Sequence, residues 1–216
     1  MRAIIRWLGA SLLTLTACAT PPAAPTPTTT TTSARPAPVE ASTLQDRDWG
    51  VVRAPALGLK LALPEAKAWL PPGGRAATSA SFELRHEPTS TSLSMRRWRA
   101  SRLPRMEVCE AELRARSADL AVVDESNLVA RRDVRVPQGF VTRITLVALP
   151  GTNTRVAGQA VAVGAGIGEC LALVARTECA GEAELAERLR LLDVALAHVR
   201  LTHVEDRVPE PQPISR

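Results

Sequence analysis

Residues 140–177 read FVTRITLVALPGTNTRVAGQAVAVGAGIGECLALVART. This stretch holds three runs rich in Val, Ile, Leu and Ala, each of a length typical of a strand. A Pro-Gly-Thr-Asn turn at 150–153 separates the first two runs, and glycines separate the last two. Strands joined by short turns pair antiparallel with their neighbours. We therefore predict a meander with strands at 139–149, 155–163 and 169–177.

The rest of the chain carries two further kinds of pattern. The leucines of residues 57–63 alternate with other residues, which is the two-residue period of a strand with one buried face. The leucines of residues 185–196 recur at steps of three and four, the spacing of a helix with one buried face. The remaining predictions are entry into the domain at 49–52, strands at 68–70, 80–87, 91–100 and 128–136, and helices at 105–119 and 181–199.

This order of elements predicts the fold class. One helix follows the first strands and another ends the domain, so both can cover the faces of a sheet. We predict an α+β protein with a single antiparallel sheet of about six to seven strands covered by two helices, an α/β sandwich. The layout is similar to the Mog1/PsbP-like α/β sandwich, through the Pro-containing turn before Trp69, the central meander and the final helix ending at 199–201. The resemblance implies a fold and no particular function, because members of one fold do unrelated things.

The N-terminus has the parts of an export signal. Arg2 and Arg6 precede an apolar run at 7–17, which is too short to span a bilayer but suits a signal peptide. Leu15-Thr16-Ala17-Cys18 resembles the lipobox of bacterial lipoproteins. The resemblance implies that Cys18 carries a diacylglycerol, usually with a further acyl chain such as palmitate on its amine. Ala19 after it implies sorting to the outer membrane, with the protein facing the periplasm or the cell surface.

Composition divides the chain into four parts. Residues 1–17 are the predicted signal peptide, and residues 18–44 form a Pro/Thr-rich linker with too little apolar surface to fold. Its upper reach is about 75 Å at roughly 3.1 Å per residue. Residues 45–203 form the α/β sandwich domain. Residues 204–216, with three prolines, form a predicted disordered tail.

Charge and aromatic content disfavour two classes of function. The formal net charge of the 216 residues is +5, and removal of Arg2 and Arg6 with the signal peptide leaves +3. A dedicated nucleic-acid binder usually shows a concentrated basic face, so we expect no nucleic-acid partner. The chain has no Tyr, two Phe and four Trp, too few for a platform that stacks bases or sugars.

Three cysteines remain besides Cys18. An exported compartment permits disulfides. Cys170 and Cys179 lie nearly 30 Å apart along one predicted strand, too far for a bridge. Cys109 lies on the buried stripe of the first helix and is therefore the shared partner. We favour Cys109–Cys170, and Cys109–Cys179 stays open as the alternative.

The densest charge is a run of arginines, with two interpretations. Arg96, Arg97, Arg99 and Arg102 form either an anion patch for acidic lipid heads, an anionic glycan or a partner protein, or the charged protection of an edge strand. His86 falls on a buried strand face, where we expect a satisfied core residue. Glycines 164–168 lead into a strand, so we expect a hairpin turn there and no phosphate loop.

The sequence has no GxSxG, HExxH or GxxxxGK[ST] motif. We expect a lipid-anchored envelope lipoprotein, attached to the membrane through its N-terminal lipid, with a non-enzymatic binding or assembly-accessory domain. We expect no cofactor and no metal, and an envelope protein or an anionic glycan as partner. The alternatives are an envelope hydrolase whose site shows no local motif, and a structural surface protein.

Overall fold

The structure, a computed structural model, describes residues 44–74, 81–136, 140–152 and 154–202. All of them belong to one compact unit, Val39–Arg216. The predicted signal peptide, the lipidation site Cys18, the linker up to residue 43, His203 and the tail lie outside the described residues. Leu44, the last residue of the predicted linker, is buried in the core.

Ten strands and two α-helices follow one another along the described chain. In order they are β1 Gly50–Ala54, β2 Leu59–Leu63, β3 Trp69–Leu70, β4 Ser81–His86, β5 Thr91–Arg99, α1 Met106–Arg116, β6 Leu128–Val136, β7 Phe140–Thr152, β8 Arg155–Ala165, β9 Glu169–Cys179, α2 Glu182–Ala197 and β10 Arg200–Leu201.

Seven of these strands form one antiparallel sheet in the order β3-β4-β5-β9-β8-β7-β6. The predicted meander is present as β7-β8-β9. The centre of the sheet is the pairing of β5 with β9, which joins the two halves of the sequence. The α+β class is therefore confirmed, with two helices and antiparallel strands.

The prediction of a single sheet is wrong. β1, β2 and β10 form a separate three-stranded sheet in which β10 pairs with β2. The final helix ends at Ala197, and the segment expected to finish it forms β10 instead. The inner leucines of β2 are buried against the core that α2 also enters, so the small sheet closes this core from the other side.

We call the face of the large sheet that carries Leu93, Ala162 and Leu173 the α2 face, because these residues share one core with α2. Small residues let the helix approach the strands closely. At Gly158 an added Cβ would lie 2.7 Å from Leu185 Cδ1 of α2, which is closer than packed carbon atoms come. Glycine here is therefore a requirement of helix packing.

The opposite face, which carries Ser94, Val161 and Cys170, is the α1 face. A smaller apolar cluster joins α1 to β8 and β9 there, and its α1 members are Met106, Cys109 and Leu113. The helix was predicted to reach residue 119 but ends at Arg116. It leaves the β4 and β5 part of this face uncovered.

Candidate functional site

Three neighbouring strands carry polar side chains in cross-strand rows on the uncovered part of the α1 face. Arg85 of β4 lies opposite Ser92 of β5, and Ser92 lies opposite Arg176 of β9. Neighbouring strands are about 4.8 Å apart, so roughly 10 Å separates the backbones of the two arginines. A second row contains Glu83 and Ser94. The register therefore places a serine hydroxyl between two arginines.

These rows form the floor of a concave region of about 490 Å³, which we call the groove. Pro72 and Gly73 line it from the segment before β4, and Asp119 lines it from the loop after α1. Arg96 also lines the groove. The groove exists because α1 is short, so the sheet surface beside the end of the helix is open to solvent.

The ion pairs of the groove arginines are long and exposed. Arg85 Nη1 lies 3.9 Å from Glu87 Oε1, and Arg176 Nη1 lies 3.6 Å from Asp119 Oδ2. The two arginine side chains are 59% and 39% exposed. Exposed pairs of this kind contribute little to stability. A ligand anion could therefore replace either carboxylate at small cost.

Two groove arginines have further features. Arg96 Nη1 donates to the carbonyl oxygen of Arg116 at 3.2 Å and to Ser117 Oγ at 3.1 Å, which ties the end of α1 to the sheet. Arg176 Nε is buried and makes no hydrogen bond within the described residues. Leaving a buried N–H without an acceptor is costly, and an oxygen of a bound ligand would satisfy it.

This lining is suited to binding an anion. Guanidinium groups match the geometry of carboxylate and phosphate, and serine hydroxyls can donate or accept hydrogen bonds. Glu83 and Asp119 add acceptors, so the groove also offers partners for hydroxyl groups of a ligand. As far as the chain is described, no histidine or cysteine lines the groove.

The structure brings one residue of the predicted anion patch into the groove and separates the others. Because side chains alternate along a strand, Arg96 points to the α1 face while Arg97 points to the α2 side, where it donates to Glu169 Oε2 at 2.9 Å and to the carbonyl oxygen of Leu57 at 2.9 Å. Arg99 and Arg102 are exposed beyond this pair. The four arginines therefore do not form one surface.

The alternative interpretation, an edge strand protected by charge, is wrong for β5, because β5 lies between β4 and β9. β6 forms the edge of the large sheet next to β7. It carries the exposed Arg131, Arg132 and Arg135. Charged side chains on such a strand oppose pairing with another chain.

Cys109 and Cys170 form a disulfide between α1 and β9, with a Cα–Cα distance of 5.5 Å. This is the pair that the sequence analysis favoured. The alternative partner, Cys179, is a free buried thiol at the end of β9. Burial raises the pKa of the Cys179 thiol, so it is neutral and poorly nucleophilic at neutral pH.

A carboxylate, an imidazole and a hydroxyl form a chain of contacts on the α2 face. His86 Nε2 lies 3.5 Å from Glu65 Oε2, and His86 Nδ1 lies 2.7 Å from Thr89 Oγ1. The geometry resembles a catalytic triad in its order of groups. However, His86 and Thr89 are 1% and 2% exposed, so no substrate can reach the hydroxyl. Burial is the main cause that lowers the pKa of His86, and the residue is a core histidine.

The hydrogen bonds of Thr89 continue into a buried network. Thr91 Oγ1 links Thr89 Oγ1 to Thr177 Oγ1, each at 2.9 Å. Arg188 of α2, 3% exposed, donates to Thr177 Oγ1 at 2.9 Å and to the carbonyl oxygen of Thr89 at 2.6 Å. It also pairs with Glu184 one turn earlier. The network joins α2 to β4, β5 and β9, and its role is structural.

Sequence reasoning did not identify Arg85 and Arg176. Arg85 stands two residues after Glu83 and Arg176 two residues after Val174, so the alternation of each strand places each arginine on a strand face. What brings them together is the pairing of β5 with β9, for which the local sequence has no signal. A predicted strand order would have been needed to find the groove.

Among the described residues, no group of three or more His, Cys, Asp or Glu side chains could hold a metal ion. Neither described helix has the length and the apolar character that a membrane span requires.

No family model and no curated protein matches the chain. Among solved structures, it is similar to the Ran-binding protein Mog1p of Saccharomyces cerevisiae, with a TM-score of 0.48, 8% identity, and coverage of 74% of this chain and 98% of that one. It is similar to the cyanobacterial PsbP of Synechocystis with a TM-score of 0.45, 13% identity, and coverage of 76% and 96%. A Bacteroides thetaiotaomicron protein gives a TM-score of 0.42 and 9% identity, with coverage of 72% and 49%.

The Mog1/PsbP-like fold takes its name from Mog1p and PsbP. All three TM-scores lie below 0.5. We therefore take neither a fold nor a function for this chain from these similarities.

Proposed function

We propose that the chain is a lipid-anchored lipoprotein of the cell envelope, held in the membrane through Cys18, whose folded domain binds an anionic envelope glycan in the groove. The observation that carries the proposal is the row Arg85, Ser92 and Arg176 on the floor of the groove. Its volume of about 490 Å³ lies in the range of ligand sites. Binding, and no reaction, is the function of this site.

The mixed lining favours a glycan with acidic groups. The arginines can hold carboxylate or phosphate groups, and the unpaired Nε of Arg176 can donate one further hydrogen bond. Glu83 and Asp119 can accept hydrogen bonds from sugar hydroxyls. An acidic peptide would offer fewer hydroxyl donors to these two carboxylates.

Calorimetric titration of the full chain tests the groove. Polygalacturonate serves as the anionic glycan, dextran as the neutral glycan and polyglutamate as the acidic peptide. Polygalacturonate should bind, and its affinity should fall as salt is raised, because salt screens exposed charges. A charge-assisted hydrogen bond contributes about 1.5–3 kcal/mol, so Arg85→Gln and Arg176→Gln should each weaken binding by about tenfold or more.

Arg155→Gln is the matched control. Arg155 is 49% exposed and lies 4.0 Å from Glu178, like the groove arginines in exposure and pairing, but outside the groove. Its substitution should leave the affinity unchanged. Equal losses at Arg155 and Arg176 would assign the binding to general positive charge. Preference for polyglutamate would replace the glycan by an acidic protein segment.

The anchor has its own test. Cys18→Ser removes the only sulfur that the lipobox resemblance marks for acylation. The variant should leave the membrane fraction or accumulate unprocessed, whereas the parent chain stays with membranes and carries the mass of its acyl chains. Unchanged fractionation of the variant would contradict lipid anchoring, and it would leave the glycan test unaffected.

A further inference from the structure

The turn between β8 and β9 presents an isoleucine to solvent. Ile167 is 99% exposed. Both neighbouring residues need to be glycine, for different reasons: at Gly166 an added Cβ would lie 2.5 Å from the ring of Phe140, and Gly168 has a φ of +76°. The two glycines therefore restrict the shape of the turn, but nothing in the fold requires an isoleucine at position 167 between them.

A second exposed apolar side chain belongs to the loop that contacts this turn. The amide of Ala100 donates to the carbonyl oxygen of Gly168 at 3.1 Å, which places the loop after β5 next to the turn. Leu103 in this loop is 74% exposed. Of the three most exposed large apolar residues in the described chain, two are therefore at this end, and the third, Val122 at 82%, lies in the loop before β6.

The same loop is basic. Arg99, Arg102 and Arg105 are exposed and their side chains make no hydrogen bond or ion pair within the described residues. Of the nearby carboxylates, Glu169 pairs with Arg97 and Glu112 accepts hydrogen bonds from Trp98 and Ser101, while Glu107 of α1 is exposed. Three arginines and two apolar side chains are thus exposed on two adjoining segments, and we call Arg99, Arg102, Leu103, Arg105 and Ile167 the tip.

We propose that the tip is a second membrane contact, in which Ile167 and Leu103 enter the headgroup region of an anionic lipid bilayer and the three arginines bind lipid phosphates. Apolar side chains among basic ones are the composition of surfaces that lie in a membrane interface. Anionic lipids attract arginines near the surface, within about a Debye length of roughly 8–10 Å.

The anchor and the tip can both reach one membrane. Near its start the described chain lies beside Glu65, to which the amide of Gln45 donates, and Glu65 contacts His86. His86 pairs with Thr91, the first residue of β5, whereas the tip begins at the last residue, Arg99. Nine residues of strand span roughly 30 Å, less than the linker's reach of about 75 Å. A tethered domain also meets the bilayer at high effective concentration.

The inference rests on the proposed lipid anchor, and depth measurement on the full acylated chain tests it. Ile167→Cys and Val122→Cys are each spin-labelled in chains reconstituted in vesicles of phosphatidylcholine alone or with phosphatidylglycerol. Cys179 is 2% exposed and its thiol pKa is raised by burial, so it should resist the label. The label at 167 should reach headgroup depth on the anionic vesicles, and the label at 122 should stay in water on both.

Three results would overturn the inference. The first is a label at 167 that is as accessible to water-soluble quenchers as the label at 122. The second is an equal depth of the label at 167 on both vesicle types. The third is protection of the label at 167 that requires an added envelope protein.

The triple variant Arg99→Gln, Arg102→Gln and Arg105→Gln should return the label at 167 toward water, as should 1 M salt. Intact mass shows whether Cys18 is acylated. An unacylated chain would therefore count against the anchor. An acylated chain whose label at 167 stays in water would count against the tip alone.

Discussion

The two faces of the seven-stranded sheet differ in what covers them. On the α2 face, a 16-residue helix and the three-stranded sheet enclose one continuous apolar core. On the α1 face, an 11-residue helix covers β8 and β9 and leaves β4 and β5 to the groove. The side chains of β5 show the difference directly, since Leu93 and Met95 are buried while Ser94 and Arg96 line the groove.

This difference separates folding from binding. Burial of apolar area is the main favourable contribution to folding, and the α2 face contains most of it. The α1 face is held by a disulfide and a small cluster, so its remaining positions are free to carry charge. Substitutions on the α2 face should therefore change stability, and substitutions in the groove should change binding.

The largest effect is expected at Arg188, the buried cation of the α2 face. Arg188→Leu leaves Glu184, whose side chain is 12% exposed, without its partner, and removes the donor to Thr177 Oγ1. Breaking one partner of a buried pair costs about 3–5 kcal/mol. The denaturant midpoint of the variant should fall accordingly, with an unchanged slope.

Two further variants sharpen this prediction. Arg188→Leu combined with Glu184→Leu should recover part of the loss, because replacing both members of a buried pair by apolar residues is often neutral. Arg190→Leu, two positions away on the exposed side of α2, should change the midpoint little. Equal losses at Arg188 and Arg190 would contradict the distinction between a buried and an exposed pair.

The second effect concerns the disulfide of the α1 face. Cys109 and Cys170 are separated by 61 residues, and closing a loop of that length stabilises by about 4 kcal/mol in the chain-entropy model, with 2–4 kcal/mol typical. Reduction should lower the free energy of unfolding by that amount. Hydrogen exchange should then rise more in α1 than in α2, because α1 has the smaller apolar cluster.

Cys179→Ala is the control for this experiment. Cys179 is a free buried thiol, so its substitution should leave the difference between oxidised and reduced protein unchanged. If reduction instead loosened α2 as much as α1, the two faces would unfold as one unit and the proposed separation between them would fail.

The α2 face was predictable because its signals are local. The leucines of 185–196 repeat at helical spacing, and 91–95 alternate with a period of two, so each element and its buried side follow from neighbouring residues. The three-stranded sheet was not predictable, because β10 has two residues and no period can be recognised in so short a strand.

The groove was not predictable because its signals are far apart in sequence. Arg85 and Arg176 meet only through the pairing of β4, β5 and β9. Closeness along the chain favours Arg96, Arg97, Arg99 and Arg102 as one patch, but strand alternation sends neighbours to opposite faces. Closeness in sequence therefore predicted one patch, whereas the fold divides these arginines among the groove, the α2 face and the tip.

A smaller effect is expected from the buried histidine of the α2 face. His86 faces Glu65, which raises its pKa, and Arg188, which lowers it, and burial lowers it most. The pKa of His86 is thus lower in the folded than in the unfolded chain. As the pH falls below about 6.5, the unfolded chain takes up a proton that the folded chain does not, so stability falls.

The window for this measurement is pH 6.5 to about 5. Below this window, five carboxylates whose pKa is also lowered become protonated, and the hydrogen bonds to their ionised form no longer stabilise the fold. They are Asp46, Glu112, Asp124, Asp133 and Glu187. His86→Asn should flatten the dependence of the denaturant midpoint on pH within the window. His198→Asn, an exposed position after α2, should keep it. A slope that survives in His86→Asn would assign it to another group.

The smallest effect on stability is expected in the groove itself. The ion pairs of Arg85 and Arg176 are long and exposed, and surface substitutions away from special features usually change stability by less than about 0.5 kcal/mol. Arg85→Gln with Arg176→Gln should therefore unfold at nearly the parent midpoint while it loses affinity for polygalacturonate. A gain in stability would fit as well, because removing Arg176 also removes the cost of its unsatisfied buried Nε. A loss as large as that of Arg188→Leu would instead mean that the groove arginines hold the fold together, and the α1 face could then not be the face reserved for binding.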